Sequence, residues 1–533
     1  MLGIGLYRIL RKRLRLRYVT AAAATVIFLI SYALMSGNGI STRRALGMCF
    51  FYLLADVTGY SYDMLNALGA VALVLLWENP FLVRYPGFLF SVLAVAAIAV
   101  AQNISAEWEK SRENEKKGKW QSQKEGLWIS FCIQLFTLPL VAYSYYEIPV
   151  YAMAVNFFVL AVVRQLFGIT VLGVVAGLFV PALGRVVLMP GGWILKSYRL
   201  LCEISVKLQG AQLITGKPSV ARIFLYYMVL GIFLLFLYGG LRAKKRSRIK
   251  AVCRMAMLAV LGILLIFPGK KEFEINFLDV GQGEGIYLCT GGGAGIFFDG
   301  GSTDIKNVGQ YRILPFLKAK GIKKISYWFV SHTDADHISG LEEVLASGYR
   351  VEHLFFAEAA KTERKTKELA ALAKSWGTMV HYLKTGDVLR SGNAKISCLY
   401  PDAGDSGMEI NDRCLVLQYE EGDVKAFFGG DISTEVENRI AESEEIKGSV
   451  SIFKADHHGS RFSNGEQLLN LLKPQICVAS AGRKNRYGHP GQEAVERIEK
   501  SGSRFYNTAL EGRIRIRVLD RKLVCESYLE KGT

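Results

Sequence analysis

Four side chains of types that bind metals stand close together in residues 331–340, which read S-H-T-D-A-D-H-I-S-G. The segment follows a strand-like apolar run and precedes a helical pattern. His332 and Asp334 alternate, so both can point into one cleft, while Asp336 and His337 stand at the start of the helix. Capping of that helix would account for one aspartate but for neither histidine. The spacing therefore predicts that all four side chains bind divalent metal ions.

Two later segments each place ligand types directly after an apolar strand. F-F-G-G-D-I at residues 427–432 puts Asp431 beyond the strand end, where its carboxylate could bridge two cations while the glycines let the backbone approach. K-A-D-H-H-G-S at residues 454–460 contains His457 and His458, which as neighbours cannot both face one side of a strand. We predict that one of the two is a metal ligand and the other a substrate contact or general acid.

The histidines confine metal chemistry to the second half of the chain, since all seven lie after Phe273. In N-R-Y-G-H-P at residues 485–490, His489 stands on a turn shaped by glycine and proline, where it could bind a phosphate or donate a proton. A purely structural role for His489 is about as well supported. His353 and His381 lie in ordinary strand and loop contexts, and no function is predicted for them.

The elements needed to position these residues follow Phe273, where short apolar strands alternate with charged helical stretches. The predicted strands are residues 274–278, 285–288, 295–298, 325–330, 415–419, 424–428 and 451–455. The predicted helices are residues 311–320, 337–347, 362–375, 434–444, 465–472 and 492–501. Strands interleaved with helices predict a layered α/β or α+β domain over residues 273–533.

The first half has a different sequence pattern, with long apolar runs and few polar faces. These runs are residues 18–36, 45–60, 64–77, 87–102, 127–143, 148–163, 167–189, 221–241 and 251–267. Several reach the roughly 20 residues that span a bilayer, and so many side by side are not typical of buried helices in a soluble domain. We predict a polytopic membrane domain of about nine helices over residues 1–268, with residues 190–219 as an interfacial helix or a loop.

The net charge of +18 belongs to the first half. Residues 1–267 carry 29 Lys and Arg against 10 Asp and Glu, whereas the remainder carries 36 against 37. The basic residues cluster in loops at 8–17, 110–124 and 242–250, which nine spans would place on one side of the membrane. The positive-inside rule makes that side cytoplasmic, so the domain after Pro268 is predicted to be extracytoplasmic, at the cell membrane.

The ligand motif H-x-D-x-D-H-x-x-G at residues 332–340 resembles the metal motif of the metallo-β-lactamase superfamily, usually H-x-H-x-D-H, with Asp334 in place of the second histidine. Together with six further motifs it resembles the ComEC/Rec2 family of DNA-internalisation proteins. Those motifs are F-L-D-V-G-Q-G-E-G at 277–285, D-G-G at 299–301, N-D-R-C-L-V-L at 411–417, G-G-D-I at 429–432, H-H-G-S at 457–460 and N-R-Y-G-H-P. The resemblance implies a multi-pass α-helical membrane domain followed by an αββα metallo-β-lactamase-fold domain.

The resemblance also implies a site for two divalent cations. It puts Asp431 at the bridging carboxylate position and Asn411 where a ligand histidine often stands. With oxygen donors in place of two imidazoles, Mn²⁺ or Zn²⁺ is expected, and Mg²⁺ is an alternative. The implied metal ligands are His332, Asp334, Asp336, His337, Asp431 and His458. The implied catalytic residues are Asp336, His457 and His489, and the implied substrate contacts are Asn411, Ser460 and Asn485.

For the whole protein the resemblance implies uptake of single-stranded DNA across the cytoplasmic membrane, with an outer-face nuclease for the strand that does not enter. Membrane lipid, a DNA receptor and a motor would be its partners, and the chain would be an N-terminally shortened member. The near-neutral charge of the second half argues against a DNA-binding surface there. Only clusters such as residues 318–324 and 483–486 provide local positive charge. A membrane-anchored hydrolase of small phosphoesters and a truncated transporter without function are the alternatives.

Overall fold

The structure of the chain, a computed structural model, describes residues 2–110, 121–208, 210–242, 248–266, 272–443, 446 and 448–529. The chain divides into two compact units, Met1–Phe267 and Pro268–Thr533, and each is described by itself. Parts of two predicted basic loops, those at residues 110–124 and 242–250, lie outside the described residues.

The first unit is helical apart from one short pair of antiparallel strands. Its helices are α1 (Leu2–Lys12), α2 (Tyr18–Met35), α3 (Ile40–Thr58), α4 (Met64–Glu78), α5 (Pro86–Lys110), α6 (Gln121–Tyr145), α7 (Ala152–Phe179), α8 (Pro181–Lys207), α9 (Val220–Arg242) and α10 (Arg248–Leu265). Strands β1 (Glu147–Pro149) and β2 (Gln212–Ile214) pair with one another.

Five of the described helices are long and apolar enough to cross a membrane. They are Tyr18–Met35, Pro86–Glu109, Lys124–Tyr145, Ala152–Phe179 and Val220–Gly239. Large apolar side chains on them are not covered by the rest of the unit, as at Leu172, Leu178 and Phe179 of α7. Apolar surface of this extent is unfavourable in water and suits a lipid environment. The number of spans, about nine, stays a prediction.

The hairpin of α7 and α8 differs from the predicted pair of spans at residues 148–163 and 167–189. One helix, α7, contains most of the first run and the second run as far as Phe179, because the polar residues between the runs do not break helical geometry. The helix ends at Phe179, and the next residue, Val180, precedes Pro181 and adopts an extended conformation. Pro181 then opens α8, as proline commonly does at the first helical position. Within residues 190–219, predicted as an interfacial helix or a loop, residues 190–207 form the later part of α8 and residues 212–214 form β2.

The second unit consists of strands and helices in alternation. Its strands are β3 (Glu274–Phe277), β4 (Gly285–Cys289), β5 (Gly295–Asp299), β6 (Ile325–Phe329), β7 (Val351–Ala357), β8 (Met379–Leu383), β9 (Val388–Ser391), β10 (Ala394–Tyr400), β11 (Val416–Glu421), β12 (Val424–Phe428), β13 (Ile452–Lys454), β14 (Ile476–Ala479), β15 (Arg504–Asn507), β16 (Ile514–Leu519) and β17 (Lys522–Ser527). Its helices are α11 (Leu314–Ala319), α12 (Ala335–Ala346), α13 (Arg364–Ser375), α14 (Thr434–Glu442), α15 (Glu466–Leu472), α16 (Gln492–Lys500) and α17 (Thr508–Glu511).

These strands form two sheets packed face to face. One sheet has the order β17-β16-β3-β4-β5-β6-β7-β8, and the other has the order β15-β14-β13-β12-β11-β10-β9. Their facing sides share one apolar core, in which the rings of Phe298 and Phe428 stack with 4.0 Å between centroids. Ile440 of α14 and Leu468 of α15 pack on the outer face of the second sheet, and α12 and α13 lie against the first. The layers are therefore α, β, β and α, as predicted.

Most predicted elements of the second unit are present. The seven predicted strands correspond to β3–β6 and β11–β13, with ends that differ by at most two residues. The helix predicted at residues 311–320 is shorter, because a π-helical turn over Gly309–Ile313 leads into α11. Eight strands, β7–β10 and β14–β17, have no counterpart among the predicted ones.

An ion-paired glutamate on β3 links this strand to β16 and α11. Glu274 accepts from Lys320 Nζ at 2.6 and 2.8 Å and from Arg515 Nε at 2.6 Å. Burial opposes the charge of the carboxyl, but Lys320 and Arg515 outweigh it and lower the pKa of Glu274. A carboxyl with a depressed pKa stabilises the fold above its ordinary pKa, near 4.5, and this contribution is lost as the pH falls through the folded-state pKa.

Glu274→Gln is therefore expected to destabilise the second unit by about 1.5–3 kcal/mol at pH 7, the range for hydrogen bonds to charged groups. Hydrogen exchange of the β3 and β16 amides in the full chain, corrected for intrinsic exchange rates, measures the change. The difference between variant and wild type should shrink as the pH is lowered below 4.5. Equal protection of the two proteins at pH 7 would contradict a stabilising role for this ion pair.

Candidate metal centre

Potential ligands from both sheets meet at one edge of the sandwich. β5 and β6 are parallel neighbours in one sheet, and β12, β13 and β14 are parallel neighbours in the other. Parallel neighbours have their carboxyl ends at the same edge, which is where α/β proteins commonly bind ligands. The residues at or just after these strand ends therefore come together: Asp299, His332, Asp431, His458 and Ser480. The start of α12 adds Asp336 and His337.

Four of the predicted ligands form one cluster. One ligand atom from each of Asp336, His337, Asp431 and His458 lies within 4.8 Å of the other three. Asp431 Oδ2 is at the centre, 3.2 Å from His337 Nε2 and 3.3 Å from His458 Nε2. Asp336 Oδ2 lies 3.6 Å from His458 Nε2. The tertiary structure thus joins side chains from three separate segments of the chain.

His332 and Asp334, the other two predicted ligands, lie beside this cluster. The ring centroid of His332 is 4.1 Å from that of His337, and its Nε2 is 3.7 Å from Asp334 Oδ2. His332 is buried, whereas nearly half of the Asp334 side chain is exposed. Asp334 therefore stands at the solvent-facing rim of the cluster.

Three buried imidazoles fit a metal ion. Within the part of the chain that the structure describes, the Nε2 atoms of His332, His337 and His458 are buried and have no hydrogen-bond partner. Burying unpaired polar atoms is costly, and a divalent cation beside Asp431 is the partner that they fit. The other ring nitrogen of His458, Nδ1, donates to the Ser480 carbonyl at 2.9 Å. This bond leaves the Nε2 lone pair free for a metal.

The charges of the cluster also suit a cation. Burial opposes the charge of Asp431, but the nearby His458 and His337 outweigh it and hold the pKa of this carboxyl well below its usual range. Burial and the neighbouring His337 lower the pKa of His332 to about 3, so this imidazole is neutral at pH 7. Against the effect of burial, Asp431 raises the pKa of His458 to about 9, so metal binding displaces a proton there.

Known proteins similar to this chain match it across both units. The family model described as Competence protein matches residues 1–239. ComE operon protein 3 of Bacillus subtilis is 26% identical over 549 residues, which cover 98% of this chain and 66% of the relative. Recombination protein 2 of Haemophilus influenzae is 23% identical over 525 residues, which cover 93% of this chain and 63% of the relative. The chain is similar to the ComEC/Rec2 proteins across both of its units.

The chain spans about two thirds of the length of the curated relatives it matches. Among solved structures, the metallo-β-lactamase fold protein YhfI of Bacillus subtilis is 9% identical, covering 44% of this chain and 96% of that one, with a TM-score of 0.30. CmlA, a diiron β-hydroxylase from Streptomyces venezuelae, is 16% identical, covering 58% and 65%, with a TM-score of 0.33. Scores this low carry no weight by themselves.

The fold of the second unit and the membrane character of the first can now be stated. The αββα layers of the second unit, with potential metal ligands at the carboxyl ends of its strands, give it the metallo-β-lactamase fold. The apolar helices of the first unit, together with the family, make the chain a membrane protein. Both agree with the predicted fold class.

His457 and His489 extend the site toward the surface of the second unit. His457 Nε2 is 3.8 Å from Asp431 Oδ2, and the ring is partly exposed. The ring centroid of His489 is 5.4 Å from that of His457 and 6.3 Å from that of His458. Among the described residues, His489 Nδ1 has no hydrogen-bond partner although it is buried. Both imidazoles predicted to be catalytic therefore lie beside the cluster; their roles stay predictions.

Ser460 and Asn485, predicted to contact the substrate, bond to their own loops. The Ser460 hydroxyl is buried and accepts from a backbone N–H two residues later at 3.3 Å. The Asn485 side chain donates to the Gly482 and His489 carbonyls at 2.8 and 2.6 Å and accepts from the His489 N–H at 2.9 Å. These bonds shape the loops that carry His457 and His489. A direct substrate contact by either residue stays a prediction.

Asn411 lies on a different segment of the chain from the four cluster residues. This residue opens a 3₁₀ turn between β10 and β11. In the same turn Arg413 pairs with Glu363 at 2.9 Å, and Glu363 accepts from the Thr333 hydroxyl at 2.8 Å. The turn is thereby linked to the residue that follows His332. A role for Asn411 as a weak ligand or phosphate contact stays a prediction.

Asp299 positions the cluster, although no role was predicted for it. Its Oδ1 accepts from the Ser331 N–H at 2.7 Å, and its Oδ2 lies 2.9 Å from His337 Nδ1. The second contact orients the His337 ring with Nε2 toward the cluster. Gly301 packs so closely on α12 that a Cβ there would clash with the Asp336 carbonyl carbon. The D-G-G motif could therefore have pointed to this role from the sequence, because Asp299 and Gly301 each make a contact that few other residue types allow.

A buried lysine beneath the cluster is a second residue for which no role was predicted. Lys454 Nζ contacts the Gly430 carbonyl and lies 3.2 Å from Glu284 Oε2 and 3.5 Å from Asp431 Oδ1. Burial would lower the pKa of Lys454, but Glu284 and Asp431 outweigh it and raise the pKa, so the lysine is charged. The Ser480 hydroxyl donates to the other oxygen of Glu284 at 2.9 Å. Lys454 therefore balances two buried carboxylates, one of them at the centre of the cluster.

Proposed function

We propose that the second unit is a metal-dependent phosphodiesterase acting on single-stranded DNA, and that the membrane unit forms part of a path for DNA uptake in natural transformation. The hydrolase proposal rests on one observation: the Nε2 atoms of His337 and His458 lie 3.2 and 3.3 Å from Asp431 Oδ2, and the His332 ring lies beside His337. All three Nε2 atoms are buried and have no hydrogen-bond partner among the described residues. DNA as the substrate is supported by the similarity of the chain to the ComEC/Rec2 proteins.

The donor set supports two cations held between the sheets. The residues that would hold them are His332, Asp334, Asp336, His337, Asp431 and His458. Two divalent cations would lower the pKa of a water molecule and neutralise charge on the attacked phosphate. A mixture of imidazoles and carboxylates suits Mn²⁺ or Zn²⁺ better than Mg²⁺, which prefers oxygen ligands and retained waters. Asp336, also proposed as catalytic, acts through its carboxylate at this centre.

His457 and His489 flank the centre and would move the proton of the leaving oxygen. Burial lowers the pKa of His457, and burial with the neighbouring His458 lowers the pKa of His489 to about 4. Both rings are therefore neutral at pH 7 in the free protein. A bound phosphodiester anion beside them favours their charged forms. Either ring thus becomes a general acid when the substrate is in place.

The location of the hydrolase is proposed from the loop charges. Basic loops on the cytoplasmic side put the second unit on the outer face of the cell membrane. There it would meet incoming DNA and degrade the strand that is not transported. Membrane lipid surrounds the apolar helices, and a DNA receptor and a motor would be the protein partners of uptake.

The test uses the full chain, purified in detergent, stripped of metal with a chelator and resupplied with Mn²⁺, Zn²⁺ or Mg²⁺ in turn. We expect cleavage of a labelled single-stranded oligonucleotide with Mn²⁺ or Zn²⁺, and its loss when chelator is added. The second candidate, a hydrolase of small phosphoesters, instead predicts a higher kcat/KM for p-nitrophenyl phosphorylcholine. Metal binding without cleavage of either substrate would contradict both enzymatic functions and favour a transporter alone.

A further inference from the structure

An exposed aromatic ring beside the metal cluster has no part in the chemistry proposed above. Tyr487 lies in the loop between β14 and α16, and 48% of it is exposed. Its ring stacks on His489 with 5.8 Å between centroids and 25° between planes. His489 stacks in turn on His458 at 6.3 Å and 25°. The three rings form a continuous series from a proposed metal ligand to the protein surface.

The same loop holds the tyrosine in place and adds positive charge. Asn485 ties the loop together through its bonds to Gly482 and His489. The Arg486 guanidinium lies 5.0 Å from the centre of the Tyr487 ring and donates to its hydroxyl at 2.8 Å. Residues 483–486 are also one of the few basic clusters in an otherwise near-neutral half of the chain. Aromatic and cationic groups are thus combined at one point on the surface.

A groove of about 790 Å³ runs along this loop. Its lining includes His489, Arg483 and Leu510. Arg483 is fixed by a hydrogen bond from its Nε to the Ala509 carbonyl at 2.8 Å, and the Leu510 side chain is exposed. The volume lies within the range of pockets that enclose small ligands. The groove therefore offers apolar and cationic surface directly beside a proposed proton carrier.

We propose that Tyr487 is a stacking platform for a base of the single-stranded substrate and that Arg486 contacts the adjacent phosphate. This inference rests on the proposed phosphodiesterase function and names how its substrate is recognised. Bases of a single strand expose their faces and stack on aromatic side chains whatever their sequence, whereas bases inside a duplex are already stacked. One such platform lets a near-neutral unit bind nucleic acid without a broad basic surface.

The test compares an oligothymidylate with an oligonucleotide of equal length in which abasic residues replace the central thymidines. Both carry the same phosphates, but only the first offers bases at the site. Tyr487→Ala in the full chain is expected to raise KM for oligothymidylate about tenfold, the contribution of one stacked base. It should leave kcat within about twofold and the KM of the abasic substrate unchanged. Tyr487→Phe and Tyr487→Trp should keep the low KM, because stacking needs the ring and not the hydroxyl.

Tyr311→Ala is the matched control, since Tyr311 is 63% exposed and lies in the π-helical turn before α11. It should leave both KM values unchanged. Equal KM values of wild type for the two substrates, or equal effects of Tyr487→Ala on both, would overturn the stacking role and leave the phosphodiesterase proposal intact.

Binding of the same oligonucleotides to chelator-treated protein, measured by fluorescence anisotropy, tests stacking without cleavage. If Tyr487→Ala weakens the binding of oligothymidylate tenfold and leaves the binding of the abasic oligonucleotide unchanged, the stacking role is supported, whether or not the protein cleaves DNA. If the wild-type protein cleaves neither substrate, the phosphodiesterase proposal is overturned. An unchanged Kd would overturn stacking.

Discussion

Asp431→Asn is expected to slow metal-dependent cleavage about a thousandfold and to abolish tight metal binding. Asp431 Oδ2 lies 3.2 and 3.3 Å from the Nε2 atoms of His337 and His458, so its carboxylate is the anionic centre of the cluster. Asparagine keeps the size of the side chain but removes its charge. Loss of several kcal/mol of charge stabilisation at a metal site corresponds to about three powers of ten in rate. Metal content after dialysis and cleavage of a labelled oligonucleotide check the two effects.

Asp520→Asn is the control for this substitution, because it removes an exposed carboxylate from the turn between β16 and β17. It should change neither metal content nor rate. Hydrogen exchange of β12 and β13 in Asp431→Asn shows whether the fold is retained, which matters because Asp431 also lies near Lys454. A folded variant with normal metal content and a rate within tenfold of wild type would contradict the central position assigned to Asp431.

Lys454→Met should destabilise the second unit by about 3–5 kcal/mol, the cost of removing one partner from a buried ion pair. The lysine Nζ lies 3.2 Å from Glu284 Oε2 and 3.5 Å from Asp431 Oδ1, and all three side chains are buried. Methionine has a similar length but leaves both carboxylates buried without their cation. Hydrogen exchange of the β12 and β13 amides in the full chain at fixed pH measures the loss.

Two further variants separate charge balance from packing. Lys454→Met combined with Glu284→Gln should recover part of the stability, since one buried carboxylate no longer lacks its cation. Lys425→Met, on β12, alters a partly exposed lysine that pairs with Glu420 at 3.4 Å. It should change stability by no more than about 1 kcal/mol. Wild-type protection in Lys454→Met would show that the buried lysine is not needed to balance these carboxylates.

Most residues of the candidate centre could be found from local spacing. Asp336 and His337 open a helix, and Asp431 and His458 follow apolar strands, so each is marked by its neighbours in the sequence. The ends of strands and the starts of helices depend on the neighbouring sequence, so each of these residues can be identified from its own segment alone. The position at which α7 ends differs from the prediction and has an equally local cause, because Pro181, and not the polar residues before it, follows the end of the helix.

The roles of Asp299 and Lys454 could not be predicted from local spacing. Asp299 orients His337 only because β5 and β6 are neighbours in one sheet. Lys454 meets Glu284 only because the two sheets face each other. Both residues lie within motifs that the sequence analysis identifies. Their burial and their partners, however, depend on contacts between segments that are far apart in the chain. Edge strands such as β8 and β9 were missed for a related reason, since their partly exposed faces lack a clear apolar pattern.

The sequence by itself determined that an apolar and basic first half requires lipid and that His and Asp residues at strand ends form potential metal ligands. These conclusions depend on composition and on spacing within single segments. Only the contacts between distant segments bring the His337 and His458 nitrogens to the Asp431 carboxylate and place a buried lysine beside it. Such distances are set by the order of strands in the sheets and by the apolar core between them, and long-range packing determines both.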